Sequence, residues 1–159
     1  MSTKKRPIVA LVYDFDGTLS PGNMQEFGFI QAIGKKPQEF WQESDDIASG
    51  QDASNILSYM KLMFDEAKKA GIKLRREDFR SFGASVELFK GVTEWFYLIN
   101  AYGKERGVKI EHYINSSGLT SMIEGTAIAK EFKRIFACSF IYNEEGEAVW
   151  PGVAVDYTA

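Results

Sequence analysis

Hydrophobic residues in this chain fall into two rhythms that change with position. Residues 8–13 are continuously apolar, rich in β-branched types, and stop at Asp14, ahead of Gly17 and the Ser20-Pro21-Gly22 break. That pattern predicts a short buried strand over residues 7–13. The spacing then changes to three and four. Met24, Phe27, Ile30 and Ile33 share one helical face, and Gly34 is a stop signal. "KPQEFWQESDDIASG" predicts a short second helix with Pro37 in its first turn. "QDASNILSYMKLMFDEAKKAGIK" carries the clearest helical signal. Asp52 or Ser54 can cap it, Ile56, Tyr59, Met60, Met63 and Ala67 line a face, Lys68 and Lys69 fall in the last turn, and Gly71 ends it. "RREDFRSFGASVELF" is a weaker helical piece ending near Gly83.

From Gly91 the signals alternate. Val92, Trp95, Phe96, Ile99 and Tyr102 mark the expected buried side of an amphipathic helix, and "VKIEHYIN" reads as a second strand running into "SSGLTSMIEGT". "TAIAKEFKRIF" reads as a helix or turn, "FACSFIY" as a third strand, and Glu-Glu-Gly in "YNEEGEAVW" as a hairpin tip. Strands separated by helices predict an α/β fold with a parallel sheet flanked by helices. The helical run after the first strand is too long for a simple crossover. It predicts an inserted helical domain at 21–90, tethered by Ser20-Pro21-Gly22 and the Gly83–Gly91 region, within a core formed by 1–20 and 91–159.

Composition narrows the setting. With 159 residues, 45% of them hydrophobic, the chain can hold one core with a small insertion. A net charge of −3 argues against a dedicated nucleic-acid binder, and 14% aromatics argue against disorder. Cys138, the only cysteine, cannot form an internal disulfide, which suits a reducing cytoplasm; its apolar neighbours predict a buried packing residue. The basic start leads into an apolar run too short for a signal peptide, and no stretch is long and apolar enough for a membrane span. No nucleic-acid or membrane partner is expected, and the expected location is cytoplasmic.

Chemistry concentrates where the first strand ends. In parallel sheets ligands gather outside the carboxyl ends of strands. Asp14 and Asp16 stand at such an end, and residues two apart point the same way in extended chain. Two adjacent carboxylates repel unless a cation joins them or one holds a proton, and a hard divalent ion such as Mg²⁺ fits oxygen ligands. Gly17 permits a sharp turn that brings backbone groups near a small anion. A calcium loop is disfavoured because Leu19 and Gln25 stand where it needs Gly and Glu. A surface turn does not suit the solid apolar run, and a phospho-receiver domain would not carry a large helical insertion after its first strand.

"DFDGTLS" after an apolar strand resembles the first signature of the haloacid dehalogenase-like (HAD) hydrolase superfamily, D-x-D-G-T-[LV]. The helical block that follows resembles the C1-type cap of phosphoserine phosphatase-like members, and "HYINSSGL" is similar to the second signature. The resemblance implies a Rossmann-like HAD core and hydrolysis of a small phosphorylated metabolite through an aspartyl-phosphate. Asp14 would be the nucleophile and Asp16 the general acid and base. Mg²⁺ would be held by the Asp14 carboxylate and the backbone of Asp16. Ser116 would hydrogen-bond a phosphoryl oxygen, with Ser117, Gly118, Gly17 and Thr18 completing the phosphate-binding set.

The same resemblance implies parts that are not found. The family's later basic residue and its acidic pair have no clear counterpart. Lys130, Lys133 and Arg134 precede the third strand, and Asp156 lacks the strand-and-glycine context and reads as a surface or turn acid. Glu144 and Glu145 read as a solvated hairpin tip. The chain therefore reads as truncated before the third and fourth signatures, and little phosphatase activity is expected of it. The alternative is a catalytically incomplete HAD domain that binds a partner or another copy through an exposed sheet edge. His112 and the tryptophans Trp41, Trp95 and Trp150 read as packing residues.

Overall fold

The computed structural model describes residues 6–156. Four strands form one sheet in the order β1-β2-β3-β4: Ile8–Tyr13, Lys109–Leu119, Arg134–Tyr142 and Ala148–Val153. β1 runs parallel to β2, with Ile8 opposite Lys109 and Tyr13 opposite Ile114, and β2 runs parallel to β3. Parallel neighbours need long crossovers, which the intervening helices supply. β4 returns antiparallel through a tight turn in which Gly146, at φ +76°, donates its N–H to the Asn143 carbonyl at 3.0 Å.

The strand expected over residues 7–13 forms at Ile8–Tyr13, but the expectation that it is buried is corrected. Among the described residues β1 is an edge strand, and Ile8 is 57% and Val12 62% exposed. An apolar run of this length specifies a strand; burial depends on what pairs with it. The helix α5 (Val92–Glu105) is likewise less buried than its stripe predicts. It meets the sheet through Phe96, whose ring packs edge-on against Tyr13, His112 and Phe132. Trp95 and Tyr102, expected inside, are exposed, as is Trp150 on β4. His112 is a packing residue: its ring nitrogens meet the Tyr13 hydroxyl at 2.9 Å and Asn100 Oδ1 at 3.1 Å.

Between β1 and α5 lie α1 (Phe29–Ala32), α2 (Pro37–Gln51), α3 (Asn55–Lys69) and α4 (Arg76–Gly83). The helix expected from Met24 onward is broken into a 3₁₀ turn, Met24–Glu26, and the single turn of α1. Gly28 between them sits at φ +149°, with the Phe82 ring 3.1 Å from where a Cβ would stand. α2 is a full 15 residues, longer than expected, and begins with Pro37 at its first position. Ser54 caps α3 by accepting from the Leu57 N–H, whereas Asp52 closes α2 in the left-handed conformation.

Tyr59, Met60, Met63 and Ala67 bury one face of α3, and α4 adds Phe79, which stacks on Phe140 of β3. Burial of Met60, Met63 and Phe79 contributes about 1.5–3 kcal/mol each. α4 lies against α6 (Thr120–Ile123) so closely that a Cβ on Gly83 would stand 1.9 Å from the Met122 carbonyl oxygen. The Ala148 N–H bonds the Leu74 carbonyl at 2.7 Å, and the Phe89 N–H bonds the Leu19 carbonyl at 2.9 Å. This last bond draws the return of the helical region to its exit, beside the carboxyl end of β1.

Candidate active site

The site begins with a turn. The Phe15 carbonyl accepts the N–H groups of Thr18, Leu19 and Ser20 at 3.2, 2.8 and 3.2 Å, and Gly17 turns at φ +73°. Phe15 is fully buried, which anchors the turn and leaves Asp14 exposed on one side of it. Thr18 Oγ1 donates to Asp14 Oδ2 at 3.4 Å. Asp16 is held differently: its Oδ1 accepts the Met24 N–H at 2.9 Å. Burial pushes the Asp16 carboxyl up to about 7; the Met24 bond opposes this, and the negative charges of Asp14 and Glu26 add to it.

The end of β2 supplies the second wall. Ser116 is buried, and its Oγ accepts the Gly118 N–H at 3.0 Å, which leaves the hydroxyl proton available to donate. Gly118 is where β2 passes the 20–25 segment. A Cβ there would stand 2.2 Å from Met24 Cε and 3.2 Å from Asp16 Oδ2, so glycine sets how closely Asp16 approaches this strand. The Ser117 carbonyl accepts the Tyr59 hydroxyl at 2.6 Å and the Cys138 thiol at 3.2 Å. Burial pushes the Cys138 thiol upward, in keeping with a packing residue.

Two cavities meet at Ser117. One, of about 260 Å³, is lined by Val12, Asp14, Asn115, Ser116, Ser117 and Asp156 among others. The other, of about 210 Å³, opens toward the helical region and is lined by Asp16, Gln25, Trp41, Ser44, Tyr59 and Ser117 among others. Asp14 and Asp16 line adjoining cavities that share the Ser117 wall, and the Asp14 charge reaches the Asp16 carboxyl. Gly17, Thr18 and Gly118 line neither. Gly17 makes the turn, Thr18 bonds Asp14, and Gly118 lets Asp16 and Met24 approach.

Asp156 was expected on the surface. Instead it is half-buried in the Asp14 cavity, with its carboxylate accepting from the Ser54 hydroxyl at the start of α3. The signal for this was hairpin length. β4 retraces β3 from Tyr142 back to Ser139, and the Val155 N–H then bonds Cys138 Sγ beside Ser117. Lys133 is committed to Glu111 at 2.7 Å, and Arg134 lies over the Phe136 ring. Among the described residues no Lys or Arg lines either cavity. Nor, among them, is any group of three or more His, Cys, Asp or Glu side chains placed to hold a metal. Asp14 offers a fitting oxygen donor for Mg²⁺, but the described residues do not complete a shell.

No protein-family model matches the chain. It is 30% identical over 148 residues to an uncharacterized protein of Borreliella burgdorferi, covering 87% of this chain and 52% of that protein. The chain thus spans about half the length of the curated relative it matches. Among solved structures it is similar to a phosphoserine phosphohydrolase-like protein from Francisella tularensis, with TM-score 0.60 and 19% identity over 93% of this chain and 65% of that one. A phosphoserine phosphatase solved as an analogue of its phospho-aspartyl intermediate matches with TM-score 0.54 and 18% identity, over 92% and 61% of the two chains. At such identities the likeness speaks to architecture: this chain has the haloacid dehalogenase-like fold, in the form seen in phosphoserine phosphatase-like proteins.

Proposed function

We propose that the chain carries the nucleophile half of a phosphomonoester hydrolase site acting on a small phosphorylated metabolite. The observation that carries the reading is that Asp14 and Ser116, from neighbouring parallel strands, line one cavity, while Asp16 opens into a second that shares the Ser117 wall. In this reading a carboxylate oxygen of Asp14 attacks phosphorus, and the ester P–O bond breaks on the opposite side. Asp16, which holds its proton up to about pH 7, gives that proton to the departing alkoxide. Water then attacks phosphorus and passes a proton to the Asp16 carboxylate. The bond from phosphorus to Asp14 breaks, releasing inorganic phosphate and restoring both acids. The Ser116 hydroxyl donates to a phosphoryl oxygen. Mg²⁺ belongs to this reading as a cation against Asp14 that would offset phosphoryl charge. The small, buried Cys138 suits a reducing compartment, and the cytoplasm is the proposed location.

A second reading, a catalytically incomplete HAD domain, is favoured by one observation: among the described residues, neither cavity has a Lys or Arg wall to balance a phosphate dianion. Both readings are tested by following p-nitrophenyl phosphate with the purified chain in magnesium buffer, with mass spectrometry of Asp14. The expected result is slow release, far below the roughly 10 s⁻¹ typical of enzymes. A phosphoryl group should appear on Asp14, and both signals should vanish in Asp14→Asn. Release that survives Asp14→Asn overturns the first reading; turnover at ordinary enzyme rates overturns the second.

A further inference from the structure

The cavity beside Asp16 has a chemical character of its own. Gln25 lines it and is only 1% exposed, yet its side-chain Oε1 has no hydrogen-bond partner among the described residues. A buried amide oxygen without a donor is costly, and a ligand that brings a donor removes that cost. Asp45 lines the same cavity. Behind the wall, the Glu26 carboxylate accepts from Trp41 Nε1 at 2.7 Å and from Asn23 Nδ2 at 3.0 Å, and both donors belong to lining residues. Trp41 and Tyr59 add aromatic rings, and no described Lys or Arg lines the cavity to meet an anion. Beside the Ser44 hydroxyl and the Asn23 and Asn55 amides, the walls offer an unpaired acceptor on Gln25, the acids Asp16 and Asp45, and ring faces. A carboxylate on the ligand would meet these without a cation, whereas an ammonium group would find all three.

We infer that this cavity receives the alcohol part of a small phosphomonoester that carries an ammonium group and no carboxylate. The inference rests on the phosphomonoesterase reading above, because it uses Asp16 as the group at the leaving oxygen. A volume of about 210 Å³ suits an alcohol of a few heavy atoms. The similarity to phosphoserine phosphatase-like structures thus extends to the fold, while the cavity selects against the serine carboxylate.

Isothermal titration calorimetry of the whole chain in magnesium buffer separates the possibilities, with inorganic phosphate, ethyl phosphate, O-phosphoethanolamine and O-phosphoserine as probes. O-Phosphoethanolamine is expected to bind about tenfold tighter than ethyl phosphate, and O-phosphoserine no tighter than ethyl phosphate. Asp45→Asn, at an exposed position where misfolding is not at issue, and Gln25→Leu should each weaken O-phosphoethanolamine severalfold more than ethyl phosphate. Binding of O-phosphoserine as tight as or tighter than O-phosphoethanolamine, with phosphate binding intact, overturns this inference alone. Absence of binding by every probe, inorganic phosphate included, overturns it together with the phosphomonoesterase reading.

Discussion

Asp16 is held in a setting that disfavours its charge, and that has a consequence for stability as well as chemistry. Its carboxyl is pushed from 3.8 up to about 7, chiefly by burial. The folded chain therefore binds a proton that the unfolded chain has already released between these two values. Stability should fall as pH rises from about 4 to 7 and then level off. Asp16→Asn keeps an oxygen for the Met24 N–H and carries no charge to desolvate. In metal-free buffer it should unfold at higher urea than the parent at pH 8, by up to about 4 kcal/mol at roughly 1.4 kcal/mol per tenfold change in proton affinity. The gap should close below about pH 4. Equal midpoints for the two proteins at pH 8 would remove the claim that Asp16 is strained by burial. Thr18 and Ser116 act at this scale too: the Thr18 hydroxyl donates to Asp14, and the Ser116 hydroxyl accepts the Gly118 N–H at the wall of the Asp14 cavity.

At the scale of elements, two glycines with opposite surroundings give opposite predictions. Gly83 ends α4 against the Met122 carbonyl, so Gly83→Ala forces α4 and α6 apart and should cost about 1–3 kcal/mol, read as a lower urea midpoint. Gly50 lies near the end of α2, and an added methyl there would meet nothing within 4 Å, so Gly50→Ala should gain about 0.5–1 kcal/mol. Similar changes in both variants would show that the α4–α6 contact does not govern stability. Element types were legible because periodicity reports them directly: the face of α3 from Tyr59 to Ala67 is buried as its spacing implies. Their surroundings were not. The same apolar stripe on α5 leaves Trp95 and Tyr102 exposed, since a stripe names a face but not its partner. At the candidate site, Asp14, Asp16 and Ser116 were legible from strand ends. Asp156 and Gln25 were not, because one depends on hairpin register and the other on how a broken helix folds back over β2.

For the molecule as a whole, the decisive feature is the free edge of β1. Among the described residues no strand lies beside its outer backbone N–H and C=O groups, and Ile8 and Val12 are exposed there. On α5, Tyr97, Leu98 and Tyr102 are exposed as well. Exposed apolar edges invite pairing, and nothing on residues 8–13 carries a charge to discourage it. A second copy presents the same edge, and two such edges related by a two-fold axis can pair antiparallel, closing the ladder. The chain should therefore self-associate as concentration rises, and sedimentation velocity should show a dimer growing at the expense of monomer. Ile8→Lys places a charge at the start of that edge, far along the strand from Asp14, and should shift the equilibrium toward monomer by at least tenfold while leaving the circular dichroism spectrum unchanged. A parent chain that stays monomeric at millimolar concentration, or an Ile8→Lys variant that dimerises as readily, would show that the β1 edge is not the contact between copies.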